Sequence, residues 1–119
     1  MKRLAILLMA ASMPFAAWAQ ERSPVQRQTL NDLAYVLGES HALRQVCQGG
    51  GDQYWRNRMS QLLQVETPDE GLDRTLREAF NTGYAAGQAQ FQACDEHSRA
   101  EAASLARRGA SLAAEAGRS

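Results

Sequence analysis

The stretch TPDEGLDRTLREAFNTGYAAGQAQFQAC, residues 67–94, decides the fold. It opens on a helix start signal. Thr67 suits the N-cap and Pro68 the first helical position, where a missing N–H costs nothing. Acids fill the first turn, and Glu70 stands where a capping box closes. Leu72, Leu76, Ala79, Phe80, Gly83, Gly87, Phe91 and Cys94 then fall on one side at helical spacing. The pattern predicts a helix over about residues 68–94. Two interior glycines, Gly83 and Gly87, each cost about 1 kcal/mol against alanine, so another helix backbone is expected to approach closely there. In a chain with no spanning segment at this point, the step is a packing feature and not a membrane dimer motif.

The flanking sequence repeats the helical period. Leu30, Leu33, Ala34 and Leu37 begin an apolar face that Val36, Leu43 and Cys47 broaden, predicting a helix over about 28–48 that ends at Gly49-Gly50-Gly51. Asp52 is a natural N-cap for a second helix, whose stripe is Trp55, Met59, Leu62, Leu63 and Val65, through about Glu66. After residue 94, Ser98 and Glu101 read as another capping box, opening a helix over about 98–116 with a small, weakly apolar face of Ala102, Leu105, Gly109, Leu112 and Ala116. No stretch alternates with period two. The expected fold is all-α, a compact antiparallel bundle of about four helices spanning 28–116, since short connections favour antiparallel neighbours.

The N-terminus reads differently. Lys2 and Arg3 precede an apolar run from Leu4 to Ala17, and Ala17-Trp18-Ala19 is a small-x-small cleavage site. About 14 apolar residues fall short of the roughly 20 needed to span a bilayer. Residues 1–19 are therefore expected to be a signal peptide cleaved after Ala19, leaving a protein of the periplasm with no membrane span. The polar residues 20–27, with Pro24, read as a flexible lead. The 13 basic and 13 acidic residues of the chain become 11 and 13 once residues 1–19 are removed, and every remaining basic residue is arginine. A mildly acidic domain is not a nucleic-acid binder.

Two cysteines in an exported chain point to a disulfide. In an up-down-up-down bundle the first and third helices run parallel, so Cys47 and Cys94 lie at the same end and can bridge. A Cys-x-x-Cys exchange motif is absent, as is the Cys-x-x-Cys-His of covalently attached haem. The bridge is expected to be a staple.

The chain offers little catalytic chemistry. Glu39, Ser40 and His41 are consecutive, so on a helix they point about 100° apart and form no triad by themselves. His97, beside Asp95 and Glu96, is a weak metal site, and the His-x-x-x-His pattern of zinc sites is missing. No cofactor or metal is expected. Backbone amides after the Gly49–Gly51 turn could hold an anion, although a plain connector explains the turn as well. The densest run is Tyr54-Trp55-Arg56-Asn57-Arg58. Trp55 is expected in the core with Met59, and Tyr54 pairs with Arg58 on an adjoining face. Tyrosine, tryptophan and arginine dominate interaction hot spots. Tyr54, Trp55, Arg56 and Arg58 are therefore the candidate partner-binding face. Asn81 and Tyr84, polar residues beside Gly83, either hydrogen-bond across helices or extend that face.

The segments 37–47 (LGESHALRQVC), 51–59 (GDQYWRNRM) and 80–84 (FNTGY), followed by Cys94, resemble an uncharacterised family of small exported alphaproteobacterial proteins with a cysteine pair. The likeness covers about residues 28–112. It implies a helical periplasmic domain and carries no catalytic residues with it. The compartment and lineage point to envelope growth or division. The leading expectation is a non-enzymatic binding or adaptor protein of the cell envelope with a protein partner. The alternative is a small hydrolase, or a ligand or metal carrier, using His41 and a nearby carboxylate.

Overall fold

The computed structural model describes residues 22–118, so the expected signal peptide lies outside the described residues. Four helices follow one another: α1 Pro24–Gln48, α2 Tyr54–Glu66, α3 Glu70–Gln90 and α4 Glu96–Ala116. Among the described residues there is no strand. The all-α bundle with one disulfide is the fold the sequence predicts.

The boundaries differ in instructive ways. Residues 24–27, read as flexible lead, are the first turn of α1. Ser23 is its N-cap, with Oγ accepting from the Gln26 amide at 3.1 Å while the Gln26 side chain accepts from the Ser23 amide at 2.8 Å. Pro24, in the first turn, starts the helix because its ring pre-sets φ. Thr67 caps the end of α2 instead of the start of α3, and its φ of 39° is left-handed. Pro68 disfavours the α conformation in the residue before it. Asp69 then becomes the N-cap, its carboxylate accepting from the Leu72 amide at 2.8 Å. In α4 the capping box belongs to Asp95 and Ser98, with Ser98 at the third position and not the cap.

Helix α1 is the hub. It runs parallel to α3 and antiparallel to α2 and α4, and all three pack on it. The α1–α3 seam is the tightest part of the molecule. A Cβ built on Gly38 would collide with the Phe80 carbonyl oxygen, and one on Gly83 with the Tyr35 carbonyl oxygen. A Cβ on Gly87 would stand 2.7 Å from that of Ala42. The close approach anticipated at Gly83 and Gly87 is therefore present, with Gly38 completing it from the other helix. Around the seam, Leu30, Leu33, Ala34 and Leu37 of α1 meet Met59 of α2 and Leu72, Leu76, Ala79 and Phe80 of α3.

A second cluster joins Val36 and Leu43 to Phe91 and Leu105. Phe91 leaves α3 in an extended conformation, φ −127° and ψ 99°, to reach it. That exit ends α3 at Gln90, so Cys94 lies in the α3–α4 connection and not on the helix. The bridge forms nevertheless: Cys47 and Cys94 are joined, with Cα atoms 4.9 Å apart. At the opposite end, Arg22 reaches Glu66 and Arg27 reaches Asp69.

Candidate functional site

Helix α2 stands on α1 with a valley on each side. Its successive residues point about 100° apart, which sorts the predicted partner-binding residues into two groups. Trp55 and Arg58 face the valley between α2 and α4. Arg56 faces the valley between α2 and α3, where Asn81 and Tyr84 of α3 form the opposite wall. The residues proposed as one face are therefore two faces. Tyr54 lies on neither floor. It is 43% exposed, edge-on to Trp55 with ring centroids 4.9 Å apart, and flanked by the guanidinium groups of Arg44 and Arg58 at 4.7 and 5.6 Å from its ring centroid.

The α2–α4 valley is apolar. Leu33 and Leu37 form its floor, Trp55, Leu62 and Val65 one wall, and Ala106, Gly109, Ala110 and Ala113 the other, around a cavity of about 390 Å³. The small α4 residues that make its face weakly apolar also keep this valley open. Val65 is 78% exposed at its end. Past Trp55 the valley continues toward the disulfide in a second cavity of about 320 Å³, bounded by Ser40, Leu43, Cys47, Arg99 and Ala102. Trp55 borders both cavities. Neither lining contains a carboxylate.

The α2–α3 valley is polar and larger, about 550 Å³. His41, Gln45, Gln53, Arg56, Arg77, Asn81 and Tyr84 line it, with Met59 and Phe80 beneath. The Tyr84 hydroxyl donates to Gln45 Oε1, and Gln45 Nε2 donates to the Gly50 carbonyl at 2.9 Å. This chain of bonds holds the α1–α2 turn against α3. Asp52 braces the same turn: its two carboxylate oxygens share a bifurcated bond from the Arg44 Nε–H, each at 2.9 Å, and Oδ1 accepts from the Tyr54 amide at 3.1 Å. Arg77 pairs with Asp73 at 2.8 Å, which raises its pKa. Arg56 has no carboxylate within ion-pair distance among the described residues.

His41 is 4% exposed and packs against Phe80 and Tyr84 at centroid distances of 5.7 and 5.1 Å. Its Nδ1 is buried without a hydrogen-bond partner. Burial, and then the Arg56 guanidinium, push the imidazole below its ordinary pKa, while Asp52 pulls the other way. Glu39 does not join it. Its carboxyl is raised by burial, against the lowering effect of Arg108 and with the further raising effect of Glu101, both on α4. The His41–carboxylate pair of the alternative reading is thus not assembled with Glu39. His97 lies in the first turn of α4 with its ring 5.3 Å from that of Phe91. Among the described residues no three His, Cys, Asp or Glu side chains are grouped as a metal would require, and no helix is long and apolar enough to cross a membrane.

Arg77, Gln45, Gln53 and Ser60 were not anticipated as lining residues. They come from three helices and, for Gln53, from the α1–α2 connection, and only the packing of α2 and α3 on α1 brings them together.

A model of the family described as "Protein of unknown function (DUF2385)" matches residues 24–118, which span all four helices and both valleys, and the chain belongs to that family. No curated protein and no solved structure matches the chain.

Proposed function

We propose that this DUF2385 protein is an exported, non-enzymatic binding or adaptor protein of the cell envelope, and that its partner docks in the valley between α2 and α4. The observation that carries this reading is an open apolar trough along α2, free of carboxylates and continued past a half-buried tryptophan. A trough of this shape fits the apolar face of an amphipathic helix, the groove mode of peptide recognition. Arg58 and Arg99 stand along it with no acid in the lining, so a segment with acidic residues beside its apolar stripe is favoured. Export is supported by the basic and apolar N-terminal run and by the disulfide, which persists in oxidising compartments.

The test is site-specific crosslinking in cells. A photoreactive residue at Gln61, in the valley lining, should give a discrete adduct, and one at Glu78, exposed on α3, should not. Trp55→Ala with Arg58→Glu should abolish the Gln61 adduct. An adduct that survives both changes, or equal labelling from the two positions, defeats this surface. N-terminal sequencing of the protein from a periplasmic fraction should begin at Gln20.

A further inference from the structure

We propose that the valley between α2 and α3 binds a small anionic ligand bearing a carboxylate or phosphate group, held by the Arg56 guanidinium above the His41 ring. It lies on the other side of α2 from the trough assigned to a protein partner, so either site can fail without the other.

Three observations converge. The cavity, about 550 Å³, suits a small molecule and is predominantly polar. Its charged lining residues are both cations, Arg56 and Arg77, with no carboxylate among them. Two acids on the elements that flank the valley are already engaged, Asp73 by Arg77 and Asp52 by Arg44 and the Tyr54 amide. Arg56, exposed on the valley wall with no carboxylate in ion-pair contact among the described residues, is available to an incoming anion, and a planar guanidinium suits a bidentate oxyanion. Beneath it, His41 is almost wholly buried, yet Nδ1 has no partner. Buried polar atoms are ordinarily satisfied, and an exception calls for an explanation. Nδ1 is closed to the valley in the free protein, so a rotation of the ring on binding would bring it to the ligand, with Asn81 and Gln53 on the walls adding amide donors and acceptors.

The arrangement also couples binding to protons. The groups that face His41 are Asp52 in the α1–α2 turn, Arg56 on α2, Phe80 and Tyr84 on α3, and Gln45 one turn along α1. Only Asp52 favours the imidazolium, while burial and Arg56 oppose it. An anion on Arg56 cancels that repulsion, so the bound state takes up a proton more readily, and binding tightens as pH falls from the bound-state pKa of His41 to its depressed free-state pKa.

Two histidines make this directly readable by NMR. In the purified protein, inorganic phosphate or citrate, serving as the two probes at constant ionic strength, should move the His41 ring resonance saturably and raise its titration midpoint by about one unit. His97 should not follow. Arg56→Gln should weaken the response about tenfold or more. Arg107→Gln, an exposed cation on α4, should leave it unchanged. A response to one probe alone identifies which oxyanion the site prefers. No saturable His41 response to either probe at millimolar concentration overturns the proposal. So does an Arg56→Gln protein that binds as well as wild type, or an equal loss in Arg107→Gln, which would reduce the effect to general charge.

Discussion

The α1–α3 seam and the α2 flank are built from the same helical material on opposite principles. At the seam, glycines let two backbones touch at Gly38 and Gly83, Gly87 makes room for the Ala42 methyl, and a disulfide closes the adjoining end. Along α2, a single side chain, Met59, is fully buried, and valleys open to either side. The seam uses its residues to fix geometry. The flank leaves its residues free to meet something else. On the proposed function, stability rests on the seam and recognition on the surfaces beside α2, so a substitution at one should leave the other largely intact.

Removing the bridge tests the seam most severely. A crosslink closing a 47-residue separation contributes about 4 kcal/mol on the loop-entropy model. Cys47→Ser with Cys94→Ser should lower the unfolding free energy by about that amount in urea titration. A loss below about 1 kcal/mol would mean that the seam holds itself. Gly83→Ala comes next. Its methyl would strike the Tyr35 carbonyl oxygen, and overpacking of this kind costs about 1–3 kcal/mol, despite alanine's better helix propensity. A neutral result would show that the helices can part without penalty.

A smaller effect is expected from pH, and it samples the flank. The folded-state pKa of His41 lies below its unfolded value, chiefly through burial. Between those two values the unfolded chain binds more protons than the folded one, so stability falls as pH drops below about 6.5 and levels off beneath the folded pKa. His41→Phe should flatten that part of the profile. An unchanged slope would assign it to other groups. The smallest effects belong to Arg56→Gln and Gln61→Ala, both exposed on α2, which should stay within about 0.5 kcal/mol of wild type by thermal unfolding. A larger loss would show that the flank is structural after all.

The two regions also differed in how far they could be read in advance. Gly83 and Gly87 advertise the seam because glycine inside a helix is costly and invites a reason. Gly38 on the partner helix carries the same cost but stands alone, without the four-residue repeat that singles out Gly83 and Gly87. The cysteine pairing follows from parallel helix ends, although Phe91 ends α3 early for the sake of its own burial. Cap assignments slipped where two capable residues compete, as with Thr67 against Asp69 and Ser98 against Asp95. The polar valley was the least legible. Arg56, Arg77 and His41 lie on three helices, and helical periodicity says which residues share a face but not which face they will meet. The separation of Trp55 and Arg58 from Arg56 was within reach, since it needs only the 100° step between successive residues.

The parallel pairing of α1 with α3 has a kinetic consequence. Two parallel helices cannot be joined by a tight turn, so the chain must travel back along the bundle before the seam can close. Helix α2 is that return stroke. Until it has been laid down and α3 has followed, Tyr35 and Gly38 have no backbone to meet and Cys47 has no thiol to join. The seam's contacts are therefore non-local, of the kind that slows folding relative to helical hairpins. Helix α1 must wait, with its apolar face uncovered, for residues synthesised well after it. Anything that shortens the wait, such as a helix-favouring change on the exposed side of α2, should speed folding even where it leaves the finished structure no more stable.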